Sequence, residues 1–117
     1  MDLRSVSAGE LAAKPTLFES FMGYVDRRQK TLGQLLAIYR ERSVTLDPAE
    51  DRANDLRVER FMSDMAGARW RSEVVIRIGV FDGRELVIDG IHRALAYLAC
   101  IEAGISPDRL PPLQIAC

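Results

Sequence analysis

Leu86-Val87-Ile88-Asp89-Gly90-Ile91-His92-Arg93-Ala94-Leu95-Ala96-Tyr97-Leu98 constrains this chain more than any other stretch. A β-branched run reaches an Asp-Gly corner and turns straight into a helical pattern. The only histidine, His92, and Arg93 fall on the first turn of that helix. A helix start offers unpaired backbone N–H groups and the positive end of the dipole, a natural seat for phosphate. Two side chains that donate to anions stand beside it. The plain alternative is that His92 and Arg93 are exposed first-turn residues. A cation there is unfavourable by roughly 0.3–1 kcal/mol, a misfit that a bound anion would remove.

The preceding residues read as a hairpin. Val74 to Phe81 is rich in β-branched residues, Asp82-Gly83 is a two-residue turn wanting positive φ, and Arg84 to Asp89 returns. A tight turn pairs Phe81 with Arg84, Gly79 with Leu86 and Arg77 with Ile88. Both faces are then largely apolar, which predicts a hairpin covered on both sides. Arg77 is the exception and calls for a buried or ligand anion. The helix after Gly90 runs to about Ala103 on a stripe of Ile91, Ala94, Leu95, Leu98 and Ala99. Gly104 stops it, and a strand from Leu113 to Ala116 follows.

Residues up to about 70 read helical. Thr16-Leu17-Phe18-Glu19 is a capping box, with Phe18, Phe21, Met22 and Val25 at helical spacing. A second box at Thr31-Gln34 opens a helix with the stripe Leu32, Leu35, Leu36 and Tyr39. Asp47-Pro48-Ala49-Glu50 opens a third, with the stripe Val58, Phe61, Met62, Met65 and Ala66 and a stop at Gly67. Val44 to Leu46 reads as a short strand. The layout is one domain over 1–117, a helical segment 1–46 packed on a core 47–117, in the α+β class.

Composition excludes several roles. The formal net charge is -1, which does not suggest a nucleic-acid binder, although local basic patches remain open. Lys14 and Lys30 are the only lysines among sixteen basic residues, so fourteen are arginine. Arginine suits phosphate forks, but a coding bias toward arginine explains the count more simply. Cys100 and Cys117 are too few for a disulfide framework and read as free thiols. No signal peptide or membrane-spanning run is seen, so the expectation is a soluble cytoplasmic protein. One histidine and two separated cysteines do not make a zinc site, so no metal-ligand set is assigned. Asp47, Glu50, Asp51 and Asp55 lack a calcium-loop pattern and read as a solvated helix start. Trp70 reads as a core edge rather than a base-stacking platform. Its neighbours Arg69 and Arg71, with Arg77, are further anion candidates.

A strand, a hairpin, then Asp89-Gly90-Ile91-His92-Arg93 opening an Ala-rich helix, then Gly104, Pro112 and a closing strand, resembles the ParB/sulfiredoxin superfamily. The resemblance covers roughly the last 70 residues. It implies a small β-hairpin–helix–strand core with a nucleotide at the helix mouth. In that reading Gly90 brings backbone close to phosphate, His92 and Arg93 contact phosphate oxygens, and Asp89 braces the turn or touches a metal-bound water. Departures narrow it. Ile91 stands where sulfiredoxins carry their reactive cysteine, which argues against sulfinic acid reduction. Partition proteins have Arg-Arg where this chain has His92-Arg93, and they carry a DNA-binding domain downstream. The glutamate base of the kinase members has no motif match here, leaving Glu50, Glu59, Glu73 and Glu85 as candidates.

Three functions compete. The first is nucleotide binding with phosphate transfer or hydrolysis, as a kinase or NTPase, using ATP, ADP or CTP with Mg2+. There Gly90, His92, Arg93, Arg77 and Arg71 hold phosphates and Asp89 or Glu85 activates the acceptor. The second is a non-catalytic nucleotide sensor or adaptor, with Phe18, Phe21 and Tyr24 facing a protein partner or a second copy. The third is nucleic-acid binding, with or without nuclease activity.

Overall fold

A computed structural model describes residues 2–17, 29–41 and 48–117. The elements are β1 (Leu3–Ser5), α1 (Ala8–Ala12), α2 (Leu32–Glu41), α3 (Pro48–Ala66), β2 (Val74–Phe81), β3 (Arg84–Asp89), α4 (Ile91–Glu102) and β4 (Leu113–Ala116), with a 3-10 turn at Pro107–Arg109. The architecture is α+β: a four-stranded mixed sheet in the order β1-β4-β2-β3 with a layer of helices. β2 and β4 are parallel, and the other pairs are antiparallel.

The Asp82-Gly83 turn forms as its sequence requires, with φ of 51° and 78°. Phe81 pairs with Arg84 and Gly79 with Leu86, but the register then shifts between Arg77 and Ile78. Ile88 is the extra residue of a β-bulge, and Arg77 pairs with Asp89 rather than with Ile88. A bulge leaves no mark in a period-two pattern, which is why the simple register fails here. Val74, Ile76, Ile78, Val87, Leu113 and Ile115 form a face buried in the core. The expected cover on the other face is not complete. Leu86 is buried there, but Val75, Gly79 and Ile88 are half-buried and Phe81 is 44% exposed.

α4 is the central helix. Ala94 through Cys100 are all buried, a wider set than a single stripe, because α1, α2 and α3 pack on it while β2 lies beneath. It ends as expected. Gly104 adopts φ 93°, with its N–H on Ile101 O and that of Ile105 on Cys100 O. α2 carries the reciprocal box: the Gln34 N–H donates to Thr31 Oγ1 and the Thr31 N–H to Gln34 Oε1. Leu32, Leu35, Leu36 and Tyr39 are buried as their spacing implies.

α3 differs in detail. Ala66 is exposed, and the left-handed residue past its end is Ala68, φ 60°, not Gly67. Trp70 meets Phe61 edge-on at 5.3 Å between centroids, the core-edge role expected of it.

The helical segment expected over 1–46 also contains a strand at its start. β1 joins the sheet at the outer edge of β4. Thr16 itself is a bridge residue and Leu17 a bend, while Phe18 and Glu19, the rest of its capping box, lie outside the described residues. Thr16 is 1% exposed, bridges Val87 at the outer edge of β3, and donates through Oγ1 to Lys30 O. The N-terminal segment thus covers both sheet edges. The sites predicted at Phe18, Phe21, Met22, Tyr24 and Val25, at Val44 to Leu46 and at Asp47 lie outside the described residues.

Candidate functional site at the mouth of helix α4

β3 runs into α4 through Gly90, whose φ of 92° is left-handed. A β-carbon there would also sit 3.0 Å from Arg93 Nη2 and 3.2 Å from Ile76 Cδ1. The left-handed conformation therefore demands glycine, and a β-carbon would also press on Arg93 and Ile76. Gly90 provides no side-chain cap, and Ala94 N–H donates the first helical bond to Gly90 O at 2.9 Å. Among the described residues, no acceptor meets the N–H groups of Ile91 and Arg93 at the positive end of the dipole.

Arg93 folds back across Gly90 and donates to Asp89 Oδ2 at 3.3 Å. The Asp89 side chain is 61% exposed, so this pair is open to solvent. The bulge at Ile88 sets Arg77 opposite Asp89. Arg77 is exposed, not buried, and makes no ion pair with a described residue. Gly90, Arg93 and Asp89 therefore gather at the uncapped helix start, one guanidinium beside one carboxylate, while Arg77 stands opposite Asp89 in the strand register between the core-facing Ile76 and Ile78.

His92 faces elsewhere. It is half-buried against α3, with Nε2 2.5 Å from Asn54 Oδ1. Cys100 Sγ, two turns along, approaches Met62 O at 3.8 Å. Both contacts span 38 positions, so α3 and α4 lie parallel and in register. Burial first, and the nearby Arg57 charge second, push the His92 imidazole down to about 4. At neutral pH it is uncharged, so it adds no cation to the mouth. Asn54 and Arg57 were not singled out by sequence reasoning. Nothing local marks them, because their partner lies on another helix far along the chain.

Two other candidates lie apart. Glu85 precedes Asp89 by four strand residues, about 13 Å. It is engaged by Lys14 Nζ at 2.6 Å and Arg4 Nη2 at 3.6 Å. The Lys14 hydrogen bond holds its carboxyl below the usual carboxylate range. Arg71 lines a shallow cleft of ≈ 360 Å³ with Trp70, Ser72, Glu73, Pro111 and Pro112, which neither Gly90 nor Arg93 borders. Among the described residues no group of three or more His, Cys, Asp or Glu could hold a metal ion. The mouth offers a divalent cation one described carboxylate, Asp89. Its donor set suits an anion better.

No protein-family model, curated protein or solved structure matches this chain. No helix among the described residues is long and apolar enough to cross a membrane.

Proposed function

We propose that this chain binds a phosphate-bearing nucleotide at the start of α4. The observation that carries this reading is the Arg93–Asp89 pair at an uncapped helix N-terminus, with Arg77 opposite Asp89 in the strand register. Phosphate oxygens would accept from the first-turn N–H groups and displace Asp89 from Arg93. Arg77, opposite Asp89 across the hairpin, would take the outer oxygens. His92 serves as a strut between α4 and α3 in this account, not as a charged ligand. The motif likeness to the ParB/sulfiredoxin superfamily points the same way and favours ATP, ADP or CTP with Mg2+.

Binding without turnover is favoured over phosphate transfer or hydrolysis. Asp89 is engaged by Arg93, and Glu85 is engaged by Lys14 at the other end of β3. Neither is placed as a free base at the mouth. The test is an amide NMR titration with magnesium ADP and, separately, pyrophosphate. Saturable shifts centred on Gly90 to Ala94 are expected. Shifts spread over the surface, or none, would contradict the assignment.

A further inference from the structure

At the hairpin end of the sheet, far from the mouth of α4, four charged side chains close a ring of alternating sign. Arg4 Nη1 meets Glu10 Oε2 at 2.8 Å, and Lys14 Nζ lies 3.8 Å from the same oxygen. Lys14 Nζ then meets Glu85 Oε1 at 2.6 Å, and Arg4 Nη2 reaches that oxygen at 3.6 Å. Three members come from the first fourteen residues. Glu85 alone belongs to the hairpin. The exposed Cys117 thiol lies 4.0 Å from Glu85 Oε2 and is the one other titratable group in contact with the ring among the described residues.

The ring sits where the N-terminal segment crosses from one sheet edge to the other. On one side β1 pairs with β4, yet every β1 residue is exposed, so few side-chain contacts hold it. On the other side, Leu17 N–H donates to Val87 O and Val87 N–H to Pro15 O. Lys14, between the two, is only 9% exposed. A cation that deeply placed depends on its carboxylate, because burying it unpaired is costly. Without the Glu85 charge, Lys14 keeps only the longer contact to Glu10.

We infer that the ring is an acid-sensitive clasp, and that opening it frees the N-terminal segment from both sheet edges while the α4 core stays folded. The Glu85 carboxyl is held low by Lys14 first, with Arg4 adding to the effect. Stability from a carboxylate lowered on folding is present above the ordinary carboxylate range and lost as pH falls through the lowered value. Release would uncover the outer edges of β3 and β4, and bare edges are surfaces for strand addition. This inference is independent of the nucleotide site.

The experiment is amide hydrogen exchange on the whole chain for wild type, Glu85→Gln and Lys14→Met, compared at one temperature and at matched pH values. In Glu85→Gln, protection at Leu17, Val87 and Cys117 should fall at least tenfold while that of Leu95 to Ala99 is kept. Equal losses at both sets, or no loss at the first, would overturn the clasp. The Lys14→Met variant stays informative if Glu85→Gln fails to fold. In wild type, corrected protection at the first set should fall relative to α4 on acidification, and in Lys14→Met this dependence should shrink to the part that Arg4 sustains. An undiminished dependence in Lys14→Met would equally overturn it.

Discussion

Asn54 and His92 stand 38 residues apart in the chain and 2.5 Å apart in space, Oδ1 against Nε2. This contact joins the central helix α4 to α3, whose main packing is with α4. Asn54→Ala removes this one contact of a half-buried imidazole, a loss of about 1–2 kcal/mol. Chemical denaturation should show the lower midpoint, with an unchanged slope if the unfolded state is unaffected.

The same imidazole makes stability pH-dependent. His92 titrates at about 4 when folded and near its ordinary 6.5 when unfolded. Between those values the unfolded chain binds more protons, so stability falls as pH drops through this window and levels off below it. The expected total is on the order of 2 kcal/mol, discounted because the ring is only partly buried. Comparing denaturation midpoints of wild type and His92→Gln from pH 7 to 4 isolates the effect. The variant should lose that part of the slope.

Ala68 occupies the left-handed position past α3, with Arg69 N–H on Asp64 O closing the motif. A residue with a β-carbon is strained there, and glycine is not. Ala68→Gly should stabilise the protein by about 0.5–1 kcal/mol, raising the thermal midpoint. An unchanged or lower midpoint would show that the strain is relieved elsewhere.

Gly79 lies beneath the Phe81 ring. A β-carbon there would fall 2.6 Å from Phe81 Cε2 and 3.2 Å from Ile88 Cγ2. Phe81 thus covers a gap in the pleat that the glycine leaves. Gly79→Ala should cost about 1 kcal/mol in wild type and less in Phe81→Ala, a coupling of about 0.5 kcal/mol or more in a double-mutant cycle. Additive effects would mean that the ring moves aside freely.

Periodic and terminal signals were legible in the sequence because they are local. The Thr31–Gln34 box, the Asp82-Gly83 turn, the α4 stripe and the Gly104 stop each need only a few neighbouring residues. What escaped depends on the third dimension. Leu3–Ser5 is too short for a period and is a strand because β4 lies beside it. The bulge at Ile88 moved Asp89 opposite Arg77 without changing residue type. Within the candidate site, Gly90, Asp89 and Arg93 do converge, and Arg77 is Asp89's register partner. His92 turns away because α3 offers Asn54, and Glu85 is taken by Lys14.

Calorimetric titration of ATP, ADP, CTP and GTP with magnesium, on wild type and on Arg77→Ala/Arg93→Ala, tests the central claim most directly. One of these nucleotides should bind wild type, with affinity reduced at least tenfold in the double variant, about 1.4 kcal/mol or more. His92→Ala, by contrast, should bind more nearly as wild type does. Equal affinity in wild type and the double variant, or binding by none of the four, would contradict a nucleotide site at the mouth of α4.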